Sequence, residues 1–128
     1  MSADNPLEWV RYAEADWQLA RSLLRRRHIP TTIVAFHAQQ SAEKYLKALL
    51  LSRQVTFPKV HDLPTLNSLC EQNGILTGFS VDLLTLLTDY AVTARYPGTE
   101  PSVEEARQAV EIARTVRAFA RRWLGVKG

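Results

Sequence analysis

The stretch that most constrains the fold is residues 36–50, Phe-His-Ala-Gln-Gln-Ser-Ala-Glu-Lys-Tyr-Leu-Lys-Ala-Leu-Leu, which reads as one helix with no glycine or proline. With each residue turned by about 100°, Ala35, Ala38, Ala42, Tyr45, Leu46 and Leu49 share one broad face. His37, Gln40, Lys44 and Lys47 form a narrow stripe on the other side, and Ile33, Phe36 and Leu51 flank that stripe. A helix that is apolar on more than one side is sandwiched between partners. The rest of the chain must therefore cover it, and polar groups suited to phosphate or carboxylate sit among groups that need covering.

Other helices are available for this. The first has Asn5 as cap, Pro6 at the first helical position and Glu8 completing a pattern like a capping box. Trp9, Ala13, Trp17, Ala20 and Leu24 then recur at helical spacing. Arg25, Arg26, Arg27 and His28 stand at its C-terminal end, where cations suit the helix dipole. Thr31 or Thr32 is expected to cap the second helix, which runs to about Arg53. Asp62 caps a short third helix with Pro64 in its first turn, and Gly74 ends it. Ser80 caps a fourth, apolar nearly all round from Val81 to Ala91, the pattern of a central core helix. Arg95-Tyr96-Pro97-Gly98 breaks it, and the last helix starts after Ser102 with Glu104 and Glu105 in its first turn. No strand alternation competes, and no repeat or linker interrupts the chain. The expectation is all-α: one domain over residues 1–128, an antiparallel up-and-down bundle of four long helices plus one short helix.

Composition narrows the function classes. A chain of 128 residues with 46% hydrophobic and 23% charged residues is globular in kind. A formal charge of +3 permits an anionic partner without demanding one. The single cysteine, Cys70, excludes a disulfide framework and reads as a buried thiol. No apolar run is long enough for a membrane span, and no signal peptide is evident, so a cytoplasmic protein is expected. His28, His37 and His61 are widely spaced and lack a cysteine pair, so no zinc site is expected. There is no glycine-rich phosphate loop, and no cofactor is expected.

Several residues have both a functional and a structural reading. Gln40, Lys44 and Lys47 form a surface for phosphate or a nucleic-acid backbone, or the lysines are solvated or pair with Glu43 and its neighbours. His61 is a candidate general acid or base, or it packs in the loop while Asp62 caps. Arg95 bonds the carbonyls of a helix end, or, with Tyr96 beside it, pairs with phosphate while the ring stacks on a base. Arg107, Arg114, Arg117 and Arg121 read as a solvated face of the last helix, or as a surface that meets an acidic partner or RNA. Trp9, Trp17, Trp123, Tyr12 and Tyr45 read as packing residues.

Three segments together resemble the HEPN family, the higher eukaryotes and prokaryotes nucleotide-binding domain. They are Ala38-Gln39-Gln40-Ser41-Ala42-Glu43-Lys44-Tyr45-Leu46-Lys47-Ala48-Leu49-Leu50, then His61-Asp62-Leu63-Pro64-Thr65-Leu66, then Arg95-Tyr96-Pro97-Gly98. The resemblance implies a dimerising helical bundle and a frequent partner, a minimal nucleotidyltransferase encoded beside it, in toxin–antitoxin-type systems. Many such proteins are metal-independent ribonucleases with an arginine, four to six residues, then a histidine near a late helix. Here no histidine follows Arg95, and the match from Arg21 to His28, with residues 22–27 between them, lies at the end of the first helix. The resemblance thus implies a binding and regulatory module acting through Gln40, Lys44, Lys47, His61, Arg95 and Tyr96. A ribonuclease, using His61 and Arg95, is the alternative, and a pure protein-interaction module is the third reading.

Overall fold

A computed structural model describes residues 5–93 and 96–127. These form five helices: α1 (Pro6–Leu23), α2 (Thr31–Ser52), α3 (Leu63–Gln72), α4 (Val81–Thr93) and α5 (Val103–Leu124). No strand occurs among the described residues, and no helix in them is long and apolar enough to cross a membrane.

Local chemistry sets most helix ends. The Asn5 side chain accepts from the Leu7 N–H, with Pro6 in the first turn. Asp62 accepts from the Thr65 N–H, and Ser102 and Glu105 form a complete capping box. Each such cap satisfies a donor the helix leaves orphaned and contributes about 1 kcal/mol. At the end of α3, Gly74 takes φ +81°, so that its own N–H and that of Ile75 close back on Glu71 and Cys70. The start of α2 departs from expectation. Its cap is Pro30, with no side-chain hydrogen bond, and Thr31 is already inside the helix. Tertiary cover substitutes for the missing cap.

That cover is extensive, because α2 packs against all four other helices. Ala35, Ala38, Ala42, Tyr45, Leu46, Leu49 and Leu50 are all fully buried. Each large apolar side chain among them contributes about 1.5–3 kcal/mol by leaving water. The central position belongs to α2 and not, as the apolar run had suggested, to α4. Leu84, Leu87, Tyr90 and Ala91 of α4 face the core, while Val81, Leu83 and Val92 stand exposed. The small residues of α2 explain the order, since alanine at one face lets neighbouring backbones come close.

Contacts fix the chain directions. Trp9 lies against Lys47, and Glu14 against Tyr45, so α1 and α2 are antiparallel. Tyr90 donates to Gln108 while Leu84 lies near Val116, so α4 and α5 are antiparallel too. The loop after α2 carries the chain back along it. His61 therefore meets Glu43 and Gln39 in mid-helix, and Cys70 lies against the Leu46 carbonyl. Burial pushes the Cys70 thiol up to about 12, which makes it a packing residue.

The arginine stripe of α5 divides in two. Arg107 and Arg114 are exposed and pair with Glu104 and Glu111, as a solvated face would. Arg117 and Arg121 instead turn inward, which corrects their expected solvated role. Arg117 grips Glu14 through Nε at 2.7 Å and Nη2 at 2.9 Å, and Arg121 donates to the Tyr45 hydroxyl at 3.2 Å. The Tyr45 hydroxyl in turn donates to Glu14 at 2.6 Å. Burial pushes the Glu14 carboxyl up, but hydrogen bonds from Arg117, Tyr45 and Gln18 prevail and hold it at about 2. Burial and the bond to Glu14 push the Tyr45 phenol up to about 12. This network ties α1, α2 and α5 together.

Candidate functional site

On the opposite flank of α2, a groove of about 480 Å³ opens between α2, the loop before α3, and α4. From α2 come Phe36, Gln39 and Gln40; the loop brings His61 and Asp62. Thr88, Ala91 and Val92 of α4 form the far wall. The Phe36 ring is 38% exposed, enough to offer a face. Gln39 is buried and organises this wall. Its amide donates to the His61 carbonyl at 2.9 Å and to Glu43 at 3.2 Å, and its oxygen accepts from Gln40 at 3.0 Å.

Behind the groove sits a buried carboxylate. The Glu43 side chain is 4% exposed, and its oxygens lie 3.0 and 3.1 Å from His61 Nδ1. Lys47 donates to the same carboxylate at 2.9 Å. The Lys47 ammonium is boxed further by the Trp9 and Phe57 rings, at 5.6 and 5.5 Å from their centroids. The His61 side chain is 73% exposed, and its Nε2 has no partner among the described residues.

The expected site residues thus separate. Gln40 and His61 meet in the groove. Lys47 lies behind it, paired with Glu43, and Lys44 lies at the α1–α2 seam, donating to Asp16 at 2.6 Å. Neither lysine lines the groove. Tyr96 follows α4 in an exposed turn, its N–H donating to the Thr93 carbonyl at 3.1 Å. Arg95 lies outside the described residues. Asp62 has its capping role, bonding both the N–H and the hydroxyl of Thr65. Sequence reasoning passed over Glu43 and Gln39 as site residues. The available signal was their place on the buried row with Leu46 and Leu50, three and seven residues after Glu43 and seven and eleven after Gln39, where a polar side chain needs an inside partner. Among the described residues, no group of histidine, cysteine and carboxylates is placed to hold a metal ion.

A bundle with a central helix of this sequence, a returning His-Asp loop and a groove beside them is a specific arrangement. The family description of the HEPN domain matches residues 7–123. The chain belongs to the HEPN family. HEPN membership places it among nucleotide-binding or ribonuclease-like modules in general. The fold has a solved counterpart in the crystal structure of TT1696 from Thermus thermophilus. That chain is 23% identical, with a TM-score of 0.74 over 91% of this HEPN chain and 96% of TT1696. At this identity the likeness speaks for the fold alone. No curated protein sequence matches the chain.

Proposed function

We propose that this HEPN chain is a nucleotide- or nucleic-acid-binding regulatory module whose ligand lies in the groove between α2 and α4. The observation that carries this reading is the convergence of an exposed aromatic ring, an amide and a histidine with an open nitrogen on one concave surface. A base stacks on Phe36, Gln40 reads its edge, and His61 meets the sugar or phosphate. Arg95 and Tyr96, which follow α4 in the chain, supply phosphate pairing and further stacking. Lys44 and Lys47 act in this reading as partners of carboxylates. In the cell the module works in the cytoplasm as a homodimer, beside a minimal nucleotidyltransferase in a toxin–antitoxin-type system.

Calorimetric titration with ATP and with a short single-stranded RNA tests it. Arg95→Ala is expected to weaken binding by about ten- to a hundredfold, as loss of a charge-assisted bond does. Gln40→Ala is expected to cost about three- to tenfold, and Lys44→Ala nothing. Full affinity in both Arg95→Ala and Gln40→Ala would remove the ligand from this groove.

The Glu43-backed His61 favours a second reading, a metal-independent ribonuclease. His61 would take the ribose 2′-hydroxyl proton as that oxygen attacks the phosphorus. The P–O5′ bond would break with the leaving oxygen taking a proton from water or from the His61 imidazolium, and Arg95 would stabilise the charged phosphate. RNA incubated without metal decides this. Cleavage by the wild type that is lost in both His61→Ala and Arg95→Ala would replace the binding module with an enzyme.

A further inference from the structure

Glu43 is too deeply buried to touch a ligand, at 3% exposure, yet it determines what His61 offers one. An ionised carboxylate only accepts hydrogen bonds, so the His61 nitrogen facing it, Nδ1, carries the proton. In the neutral ring this leaves Nε2 as an acceptor. The loop backbone is held as well, by the Gln39 amide on the His61 carbonyl. Ring and backbone are therefore both set from α2. Among the described residues, the charged groups around His61 are Glu43 and Lys47 of α2, already paired with each other, and Asp62, occupied at the start of α3. The far wall, from α4, brings Thr88, Ala91 and Val92 among the described residues.

We infer that Glu43 is a positioning residue that fixes Nε2 of His61 as a hydrogen-bond acceptor at the groove, and that this selects a ribose-bearing ligand over its 2′-deoxy counterpart. Phosphate oxygens only accept and leave a neutral Nε2 unsatisfied. A hydroxyl donates to it. His61, at 73% side-chain exposure, stands at the open edge of the groove, where the sugar of a bound nucleotide remains wet while its base lies on Phe36. The inference rests on the groove being the ligand site.

The test pairs a spectroscopic signature with a selectivity. Nitrogen-15 NMR of the full chain at pH 8 reads the His61 tautomer. The wild type is expected to show Nδ1–H, and Glu43→Gln a mixture, because an amide presents either a donor or an acceptor to the ring. Anisotropy titrations then compare a short single-stranded RNA with the DNA of the same sequence. The wild type is expected to prefer RNA by about three- to tenfold, the net value of one hydrogen bond. Glu43→Gln and His61→Phe are expected to bring the ratio to about one by lowering the affinity for RNA. The exposed His61→Phe change serves as the second arm should Glu43→Gln lose its fold. An Nε2–H tautomer in the wild type would overturn the inference, as would equal affinity for RNA and DNA, which also covers Nε2 meeting a base amine. Equal affinity leaves the groove reading standing, whereas failure to bind either polymer removes both.

Discussion

Two carboxylate–histidine–lysine sets sit on α2, and they do different work. In one, Asp16 of α1 bonds His37 Nδ1 at 2.8 Å and Lys44 Nζ at 2.6 Å. In the other, Glu43 bonds His61 Nδ1 and Lys47 Nζ. Each set joins a carboxylate to a lysine and to a histidine Nδ1. The surroundings differ. The Asp16, His37 and Lys44 side chains are 12%, 25% and 25% exposed and stitch two adjacent helices along their seam. The Glu43–Lys47 pair is almost dry, and its histidine comes from a loop and reaches outward. A carboxylate shared between two helices is a tie; one that holds a loop histidine against a groove sets which nitrogen the ring turns outward.

The contrast is broken most directly by removing each carboxylate. Glu43→Ala leaves the Lys47 ammonium buried without its counter-charge, and is expected to cost about 3–5 kcal/mol. Urea denaturation measures it, with a fall in midpoint at constant slope. Equal losses from Glu43→Ala and Asp16→Ala would erase the distinction between a dry pair and a seam.

A third carboxylate, Glu14, sharpens the comparison through pH. Its folded-state value of about 2 lies below the ordinary 4.5. The unfolded chain therefore binds the proton more readily, and the stabilisation is present above pH 4.5 and lost as pH falls from there through 2. With Glu14 partly open to water, the contribution is about 2 kcal/mol. Stability measured from pH 6 to pH 2 is expected to fall in the wild type. In Glu14→Gln this segment of the decline should be absent. An unchanged pH profile in that variant would show that Arg117 and Tyr45 do not hold the carboxylate ionised.

Which of these features the sequence reveals follows from distance along the chain. The caps at Asn5, Asp62 and Ser102 were legible because donor and acceptor lie within two or three residues of each other. The helical class and the crowded face of α2 were legible for the same reason, since periodicity is local. The partners of the polar stripe were not. Lys44 meets Asp16 from 28 residues away, His61 meets Glu43 from 18, and Arg117 meets Glu14 from 103. Periodicity says which side chains share a face, but not which face of another helix it will meet. The misplaced centre of the bundle has that origin. The apolar run in α4 and the alanine-rich face of α2 both ask for cover, and only packing decides that α2 receives it from all sides. The lining of the candidate groove was half legible. Gln40 and His61 lie together in the groove, while Lys44 and Lys47 were drawn away by carboxylates whose reach no local pattern encodes.

Asp16→Ala is expected to have a moderate effect. It frees His37 and Lys44, both partly open to water, so solvent replaces much of what is lost. The expected cost is about 1 kcal/mol, reduced by added salt as for other accessible ion pairs. Thermal melts in low and high salt check both statements. A loss matching that of Glu43→Ala, or one indifferent to salt, would mean the seam is drier than its exposure indicates.

The smallest effect on stability is expected at the two histidines themselves, and it separates them most cleanly. His61→Phe removes a side chain that is 73% exposed and leaves Glu43 paired with Lys47. Stability should stay within about 0.5 kcal/mol of wild type, as for most surface changes, while the preference for a ribose-bearing ligand disappears. His37→Phe should do the reverse. Its 2.8 Å bond to Asp16 lies in the α1–α2 seam and away from the groove lining, so about 1 kcal/mol of stability is lost and ligand selectivity is retained. Denaturation midpoints and RNA-to-DNA affinity ratios for both variants, taken together, form a crossed test. If His37→Phe alters selectivity and His61→Phe alters only stability, the roles of the two sets are exchanged, and the ligand belongs at the α1–α2 seam.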